Sequence, residues 1–268
     1  MIRKTSVTVL LLAALISISS CCNEHNEHNN KNHENNLLMA TFYNYYAAEY
    51  KALTYQAFNV GKVRLKEIRI DNPENMKLAV VVDIDETILD NSPYEAKMML
   101  NESGYSSESW TEWCNLENAQ PVPGAVEFLN YADSLGFNIF YITNRKKKFV
   151  EKSTIENVRK MGFPQVTEDR FLLRDGERNK ENRRQAVSEN YEIVLLAGDN
   201  LGDLYEDSGI FSDREKLMKS NKDHFGSKFI VLPNAMYGEW VSSIGLLAGD
   251  KQTIDSLLIV MADNYKQH

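Results

Sequence analysis

The chain has 268 residues, which is enough for one large domain or two small ones, and 43% of them are hydrophobic, an ordinary share for a globular core. Its formal net charge at pH 7 is −8, and its isoelectric point is near 5.3. A nucleic-acid-binding surface would normally be basic, so these values argue against nucleic acid as a partner. No internal repeat is visible.

The first twenty residues have the pattern of a secretory signal. Arg3 and Lys4 give a positive start, and residues 7–18 form an apolar run that is long enough for a signal and too short to span a bilayer. The run leads into Ser19-Ser20-Cys21, which resembles a bacterial lipobox. The resemblance implies that Cys21 is lipidated, becomes the mature N-terminus and anchors the protein to the outer membrane.

Alternatives at this cysteine stay open. They are an ordinary signal peptidase site followed by free cysteines, and lipidation of Cys22 instead of Cys21. The side of the membrane that the anchored protein faces, periplasm or exterior, is also open. Cys114 is the only other cysteine, so we expect no disulfide framework in the mature domain.

Residues 21–36 are predicted to form a flexible polar tether. From Asn23 the sequence reads NEHNEHNNKNHENN, which has no apolar residue to bury. A flexible coil of this length reaches roughly 20 Å, enough to hold a domain off a membrane. Its three histidines, at 25, 28 and 33, suggest metal binding, but solvated polar filler is the commoner explanation of such loose spacing.

Residues 37–70 are rich in Ala, Tyr, Leu and Lys at helical spacing, which predicts one or two N-terminal helices packed on a sheet. Further on, Leu78–Val82 form a short apolar run that contains three valines. Such a run is typical of a strand buried on both faces of a parallel sheet. It leads directly into Asp83, Asp85 and Thr87, and ligands of parallel sheets bind beyond the carboxyl ends of the strands.

The segment from about 91 to 120 is long for a connection between a strand and a helix, where a few residues suffice. It contains a predicted short helix over 95–100 and a helical stretch within 103–118, where Trp110 and Trp113 lie at helical spacing. We interpret this segment as a small, mainly helical cap inserted over the strand end. An amphipathic helix is predicted after it, over 125–135.

From residue 136 onward, strands and helices alternate. The predicted strands cover residues 137–143, 171–173, 192–197 and 228–232, and the predicted helices cover 148–161, about 182–189 and about 250–265. This alternation predicts an α/β fold, a parallel sheet with helices on both faces.

Polar groups of complementary kinds follow three of the predicted strands: Asp83, Asp85 and Thr87; Thr143 and Asn144; Asp199 and Asp203. Because the carboxyl ends of parallel strands meet at one edge of a sheet, we expect these groups to converge. Four carboxylates repel one another unless a cation holds some of them, and with only oxygen ligands nearby Mg²⁺ is the natural choice. Lys180, at a loop-to-helix junction, completes a site suited to a phosphoryl group.

Two motifs carry a family resemblance. Residues 82–94, VDIDETILDNSPY, and residues 193–203, IVLLAGDNLGD, are similar to the paired signature of the haloacid dehalogenase (HAD) superfamily, and more narrowly to the class C acid phosphatases of the bacterial lipoprotein e type. Ile88 and Leu204 depart from the usual residues without touching the chemistry. The resemblance implies a Rossmann-like core with a small cap, dependence on Mg²⁺ and hydrolysis of organic phosphate monoesters. The predicted organisation is a signal at 1–20, the tether, and one phosphatase domain over 37–268.

The resemblance also implies catalytic roles. Asp83 is the expected nucleophile, which forms an aspartyl-phosphate that water then hydrolyses. Asp85 is expected to protonate the leaving oxygen and later to deprotonate that water. The implied Mg²⁺ ligands are the side chains of Asp83 and Asp199, the backbone carbonyl of Asp85 and, through a water molecule, Asp203.

Thr143, Asn144 and Lys180 are the implied ligands of the phosphoryl oxygens. For the lysine, the sequence leaves alternatives open, namely Lys146, Lys147, Lys148 and Arg178. Thr87 is expected either to take part or only to hydrogen-bond the loop.

Aromatic residues flank the expected site, and the resemblance implies that some of them sandwich a nucleobase. Our hypothesis assigns this role to Tyr94, Trp113 and Tyr237, which gives a preference for nucleoside 5′-monophosphates. Large aromatic side chains are also common in cores, and Trp110 and Trp240 are weaker candidates for the same role.

Competing functions remain at this stage. Within the superfamily these are a sugar-phosphate phosphatase and a phosphotransferase, and outside catalysis a surface binding or storage lipoprotein on the same fold. Plant storage relatives generally lack the nucleophile, whereas Asp83 is present here. The partner is expected to be a small phosphate monoester, and the oligomeric state, with a dimer as one option, is open.

Overall fold

The structure, a computed structural model, describes residues 37–246 and 251–263. Residues 40–244 form one compact unit, and residues 37–39, 245–246 and 251–263 belong to a second. The predicted signal, the tether and Cys21 lie outside the described residues. Within the described ranges, no helix is both long and apolar enough to cross a bilayer.

Five parallel strands form the central sheet of the larger unit. Their bounds are Leu78–Val82 (β1), Asn138–Lys146 (β4), Phe171–Arg174 (β5), Glu192–Gly198 (β6) and Phe229–Val231 (β7). The spatial order is β5-β4-β1-β6-β7, so the strand that precedes Asp83 is the central one. This confirms the parallel α/β sheet that the apolar runs predicted.

α-Helices precede, separate and follow the strands along the chain. The described helices are 37–46 (α1), Ala48–Asp71 (α2), Ser92–Leu100 (α3), Ser107–Asn115 (α4), Ala125–Ser134 (α5), Lys147–Lys160 (α6), Glu181–Ser188 (α7), Leu201–Leu204 (α8), Phe211–Ser220 (α9), Glu239–Ser243 (α10) and Lys251–Asp263 (α11). Two 3₁₀ turns cover Glu168–Arg170 and Lys222–His224.

Alternate residues of β1 point to opposite faces of the sheet, and each face has its own core. Val80 and Val82 pack in one cluster with Phe128 of α5. Val81 packs in a second cluster with Val187 of α7. Helices therefore cover both faces, which explains why β1 is apolar at every position.

A glycine lets α2 and α5 approach closely over the first of these faces. A Cβ added at Gly61 would lie 2.8 Å from the ring of Phe128. The rings of Phe58 and Phe128 stack beside it with their centroids 5.2 Å apart. The helix predicted before β1 thus packs tightly on the sheet layer.

The cap is fastened at both of its ends. It leaves and re-enters the core through a short antiparallel pair, Leu89–Asp90 (β2) and Gln120–Pro121 (β3), with α3 and α4 between them. Asn157 of α6 accepts a hydrogen bond from the backbone N–H of Ala119 at 3.1 Å and donates one to its carbonyl at 3.0 Å. These bonds fix the position of the cap over the end of β1.

Several elements differ from the sequence prediction, among them a strand and a helix. The strand predicted to end at Thr143 runs to Lys146. Its pairing with β5 is irregular after Thr143, where the Arg183 side chain donates a hydrogen bond to the Thr143 carbonyl. The helix α9 had no prediction, because it is largely exposed and only Arg214 is buried. A helix with so little apolar surface gives a weak periodic signal.

Candidate active site

The carboxyl ends of β1, β4 and β6 meet at one edge of the sheet. Asp83 follows β1, Asp199 follows β6, and Thr143 and Asn144 lie near the carboxyl end of β4. The three strands are direct neighbours. The fold therefore brings together polar groups that are more than a hundred residues apart in the sequence.

Three carboxylates form a cluster at this edge. One oxygen each from Asp83, Asp199 and Asp203 lies within 4.8 Å of the others. Burial raises the pKa of Asp83 and of Asp199, and the neighbouring Asp203 adds to the rise at both. Such a cluster of hard oxygen ligands, with no Cys or His in it, fits a divalent cation of the Mg²⁺ type.

Lys180 is the cation that the chain itself brings to this cluster. It is 5% exposed at the N-cap of α7, and its Nζ contacts Oδ1 of Asp83 and, at 2.6 Å, Oδ1 of Asp203. Burial alone would lower the pKa of Lys180, but Asp203 and Asp83 raise it above its usual value. The lysine is therefore charged beside these carboxylates despite its burial.

The alternative cations lie elsewhere. Nζ of Lys146 donates to Oγ of Ser107 at 3.0 Å, Lys147 lies 3.6 Å from Glu151, and Arg178 pairs with Glu239. Lys148 is exposed beside the ring of Phe149. Of the five candidates from the sequence, the structure places only Lys180 against the acidic cluster.

Asp199 is held from two sides. The hydroxyl of Thr87 donates to its Oδ1 at 3.3 Å and accepts its backbone N–H at 3.1 Å. Nδ2 of Asn234 donates to its Oδ2 at 2.8 Å. Thr87 thus orients a carboxylate of the cluster, which decides between the two roles that the sequence left open for it.

Asp203 sits close to the backbone of the preceding strand. Its Oδ2 accepts the N–H of Asn200 at 2.9 Å, which closes the turn that starts α8. A Cβ added at Gly198 would lie 2.3 Å from the Cβ of Asp203. Only glycine leaves room for this carboxylate at position 198.

Thr143 and Asn144 are oriented by Arg183 of α7. Its Nη1 donates to the carbonyl of Thr143 at 2.6 Å, and its Nη2 donates to Oδ1 of Asn144 at 2.7 Å. Because the arginine occupies Oδ1, the amide Nδ2 of Asn144 remains as a donor for a ligand. The same helix has Lys180 at its N-cap, so its N-terminal end positions Lys180 on the acidic cluster and orients Thr143 and Asn144.

The side chain of Asp85 does not join the acidic cluster. Its Oδ1 accepts hydrogen bonds from Nε and Nη2 of Arg145 at 3.0 and 2.8 Å and from Nδ2 of Asn91 at 3.0 Å. The Arg145 side chain is fully buried and the Asp85 side chain is 18% exposed. Two acids at i and i+2 therefore have separate surroundings.

A buried acid lies next to this pair. Glu86 is 0% exposed and has a left-handed backbone, with φ of 56°. Its carboxylate accepts the N–H of Asn91 at 2.7 Å, Nδ2 of Asn91 at 3.0 Å and the hydroxyl of Tyr237. Burial raises the pKa of Glu86 well above its usual range, Asp85 adds to the rise, and the bonds from Asn91 oppose it.

The aromatic residues predicted to hold a base have different surroundings. Tyr94 is 2% exposed, its hydroxyl lies 2.9 Å from Oγ of Ser109, and Trp110 packs edge-on against its ring. Its predicted stacking role is not supported, because a ring enclosed in the cap has no free face. Trp113 and Tyr237 are partly exposed, as are Trp110 and Trp240.

Several residues of the site were not singled out from the sequence. They are Glu86, Asn91, Arg145 and Arg183. A charged residue close to the carboxyl end of a buried strand, as at Arg145, is a signal that could have been used. Asn91 looked like an ordinary turn residue, and Arg183 like one of several surface arginines of a polar helix.

Comparisons with known proteins agree with this geometry. Residues 6–240 match the family model described as HAD superfamily, subfamily IIIB (Acid phosphatase). A class C acid phosphatase from Bacillus anthracis is 39% identical with a TM-score of 0.76 over 82% of this chain and 92% of that chain. A tungstate-bound structure of that enzyme is 38% identical with a TM-score of 0.75 over 81% and 91%.

A plant protein is a more distant relative. A stem 31 kDa glycoprotein of Glycine max is 29% identical over 59% of this chain and 58% of its own length. The chain spans about half the length of the curated relatives that it matches.

Proposed function

The chain belongs to subfamily IIIB of the HAD superfamily, the acid phosphatases, and on that premise we propose that it hydrolyses organic phosphate monoesters. The observation that carries the proposal is the cluster of Asp83, Asp199 and Asp203 with Lys180 at the ends of three parallel strands. Tungstate, the ligand in one related structure, is a tetrahedral oxyanion like phosphate.

Asp83 is the proposed nucleophile. One of its carboxylate oxygens attacks phosphorus, the bond from phosphorus to the ester oxygen breaks, and an aspartyl-phosphate forms. Water then attacks the same phosphorus and releases inorganic phosphate, which returns Asp83 to its free form. Lys180, the hydroxyl of Thr143 and Nδ2 of Asn144 supply positive charge and hydrogen-bond donors for the phosphoryl oxygens.

Asp85 is the proposed general acid and base. It gives its proton to the leaving oxygen in the first step and takes one from the attacking water in the second. Its separation from the acidic cluster supports this division, because a carboxylate committed to a metal could not carry a proton. Three hydrogen bonds from Arg145 and Asn91 end on its Oδ1.

We propose Mg²⁺ as the cofactor. The side chains of Asp83 and Asp199 and the backbone carbonyl of Asp85 would hold it, with Asp203 acting through a water molecule. When bound, Mg²⁺ offsets negative charge on the carboxylates and on the phosphoryl group. Titration calorimetry should show Mg²⁺ binding that Asp199→Asn abolishes, and unchanged binding by that variant would contradict this ligand set.

The proposed substrates are nucleoside 5′-monophosphates. Trp113 of α4 donates a hydrogen bond to Asn91, next to Asp85 and Glu86, and Tyr237, far along the chain, donates one to Glu86 itself. Their partly exposed rings are the available platforms for a base, and stacking of this kind tolerates different bases. A sugar-phosphate phosphatase and a phosphotransferase are the alternatives within the superfamily.

A substrate panel tests this proposal. Phosphate release from nucleoside 5′-monophosphates, sugar phosphates and 4-nitrophenyl phosphate should require Mg²⁺, vanish with EDTA and be fastest on the nucleotides. Preference for sugar phosphates would contradict the base-stacking assignment alone. No activity on any monoester with Mg²⁺ would replace the enzyme by a binding or storage protein on the same fold.

We also propose that Cys21 anchors the protein to the bacterial outer membrane through a lipid. The support is the lipobox-like sequence at its N-terminal side. In fractionated cells, Cys21→Ser should move the protein from the membrane fraction to the soluble one, whereas the matched Cys22→Ser variant should stay on the membrane. The reverse pattern would transfer the anchor to Cys22.

A further inference from the structure

Asn91 lies at the point where β2 passes into the cap, and its side chain is fully used. The residue is 0% exposed. Nδ2 donates to Oδ1 of Asp85 and to Oε2 of Glu86, each at 3.0 Å, and Oδ1 accepts Nε1–H of Trp113 at 2.7 Å. A flipped amide would place its oxygen against two carboxylates and its N–H groups against the indole donor, so only one orientation fits.

Asn91 and Arg145 hold one oxygen of Asp85 between them. Arg145 places two donors on Oδ1, and Asn91 places a third. Within the described part of the chain, the side-chain hydrogen bonds that this carboxylate accepts all end on Oδ1. Oδ2 is therefore the oxygen that can carry the proton exchanged with the substrate, and the fixed Oδ1 sets its position.

The same amide ties Asp85 to the two aromatic side chains. Trp113 reaches it directly from α4 of the cap, and Tyr237 reaches it through Glu86, to which its hydroxyl donates. A buried asparagine thus joins the proton carrier to the rings that flank the site, through a chain of direct hydrogen bonds.

We propose that Asn91 is a positioning residue for Asp85. Its amide holds the Asp85 carboxylate in a fixed position relative to the cap, to which Asn91 is hydrogen-bonded through Trp113. The proposal rests on the proposed function, because it takes Asp85 as the general acid. Asn91 touches no reacting atom, and its effect on the rate passes through the orientation of the Asp85 carboxylate.

The test uses the dependence of the rate on the leaving group. A nitrophenolate leaves readily without a proton, whereas the 5′-oxygen of a nucleoside needs one. With Mg²⁺ present, Asn91→Ala should lower kcat/KM for adenosine 5′-monophosphate by about tenfold to a hundredfold and that for 4-nitrophenyl phosphate by less than about threefold. We compare kcat/KM because it covers the step in which the leaving group departs.

Asn157→Ala is the matched control. Asn157 is also a buried asparagine, and its truncation removes two side-chain hydrogen bonds, both to the backbone of Ala119. This variant should lower the thermal midpoint without favouring one substrate over the other. If Asn91→Ala fails to fold, Trp113→Phe removes the indole donor to Oδ1 of Asn91. Because Trp113 is also a proposed platform for the base, this variant is compared on two substrates without a base, and it should lower kcat/KM for phenyl phosphate, the poorer leaving group, more than that for 4-nitrophenyl phosphate.

Asp85→Asn separates the failure of this inference from failure of the proposed function. If Asp85→Asn lowers kcat/KM equally for both substrates, the general-acid assignment itself is wrong, and the inference falls with it. If Asp85→Asn lowers kcat/KM mainly for the nucleotide, but Asn91→Ala lowers kcat/KM equally for both substrates or for neither, only the positioning role is overturned. Selective losses in both variants, with no further selectivity in the double variant, establish it.

Discussion

Asp83 and Asp85 are two residues apart in the chain, yet their surroundings are opposite. Asp83 faces two other carboxylates and a buried lysine at the ends of the strands. Asp85 faces a buried arginine and an asparagine on the side of the cap. Under the proposed mechanism, the sheet side would carry out the phosphate chemistry and the cap junction would supply the proton, with one loop presenting both acids.

The largest expected effect comes from removing the acid on the sheet side. Asp83→Asn should lower kcat on any monoester by about 10⁴-fold or more, because the amide cannot form the acyl phosphate. The matched control is Asp169→Asn, at an exposed aspartate far along the chain, whose kcat should not change. Steady-state phosphate release measures both, and substantial activity in Asp83→Asn would transfer the nucleophile to another residue.

Replacing the cation on the sheet side should have the next largest effect. Lys180→Met leaves Asp83 and Asp203 without their partner and should cost about 10²- to 10³-fold in kcat. Lys146→Met is the control, because that lysine binds Ser107 of the cap instead. A greater loss in Lys146→Met than in Lys180→Met would reverse the assignment of the phosphate ligand.

On the cap side, the buried arginine should matter for stability as well as rate. Arg145→Met leaves the partly exposed Asp85 without its charged partner and should lower the free energy of unfolding by about 2–3 kcal/mol. Arg145→Lys should not restore it, because an ammonium cannot place two donors on one carboxylate oxygen in the same geometry. Denaturant unfolding measures the change, with the exposed Arg159→Met of α6 as a control that should be near neutral.

The smallest expected effect concerns a cap carboxyl outside the network. Burial raises the pKa of Glu95 from 4.5 to about 7. Since the folded-state pKa is above the unfolded one, the stability of the protein should fall as pH rises from 4.5 to 7 and stay lower above it. Glu95→Gln should therefore add about 1–2 kcal/mol at pH 8 and nothing at pH 4, after allowance for partial exposure.

Thermal unfolding at the two pH values checks this prediction. The control is Glu108→Gln, at an exposed position of α4 in the same cap. Its effect on the free energy of unfolding should be small and the same at pH 4 and pH 8. A gain of the same size at pH 4 and pH 8 in Glu95→Gln would show that the carboxyl is not the source.

The two sides of the site differ in how much the sequence could predict. Asp83, Thr143 and Asp199 come at the ends of apolar runs that are typical of buried parallel strands, so their convergence at one edge of the sheet could be predicted from topology. The roles assigned to them came from the two motifs. Lys180 could be proposed but not separated from its neighbours, because a loop sets its direction.

The cap side was largely beyond prediction. The hydrogen bonds of Asn91 and Arg145 depend on how a short antiparallel pair and a buried turn orient side chains, and no periodic pattern records this. Tyr94 was a wrong choice for the same reason, since its position next to the motif could not tell a ring enclosed in the cap from one that faces a ligand.

Trapping the phosphorylated enzyme tests the division of labour between the two acids most directly. In Asp85→Asn with 4-nitrophenyl phosphate and Mg²⁺, the first step needs little acid help, while hydrolysis of the aspartyl-phosphate lacks its base. We predict a burst of about one equivalent of nitrophenolate per enzyme, and after acid quenching a phosphoryl group on Asp83 in the peptide mass spectrum. Absence of the burst, or a phosphoryl group on any other residue, would contradict the account.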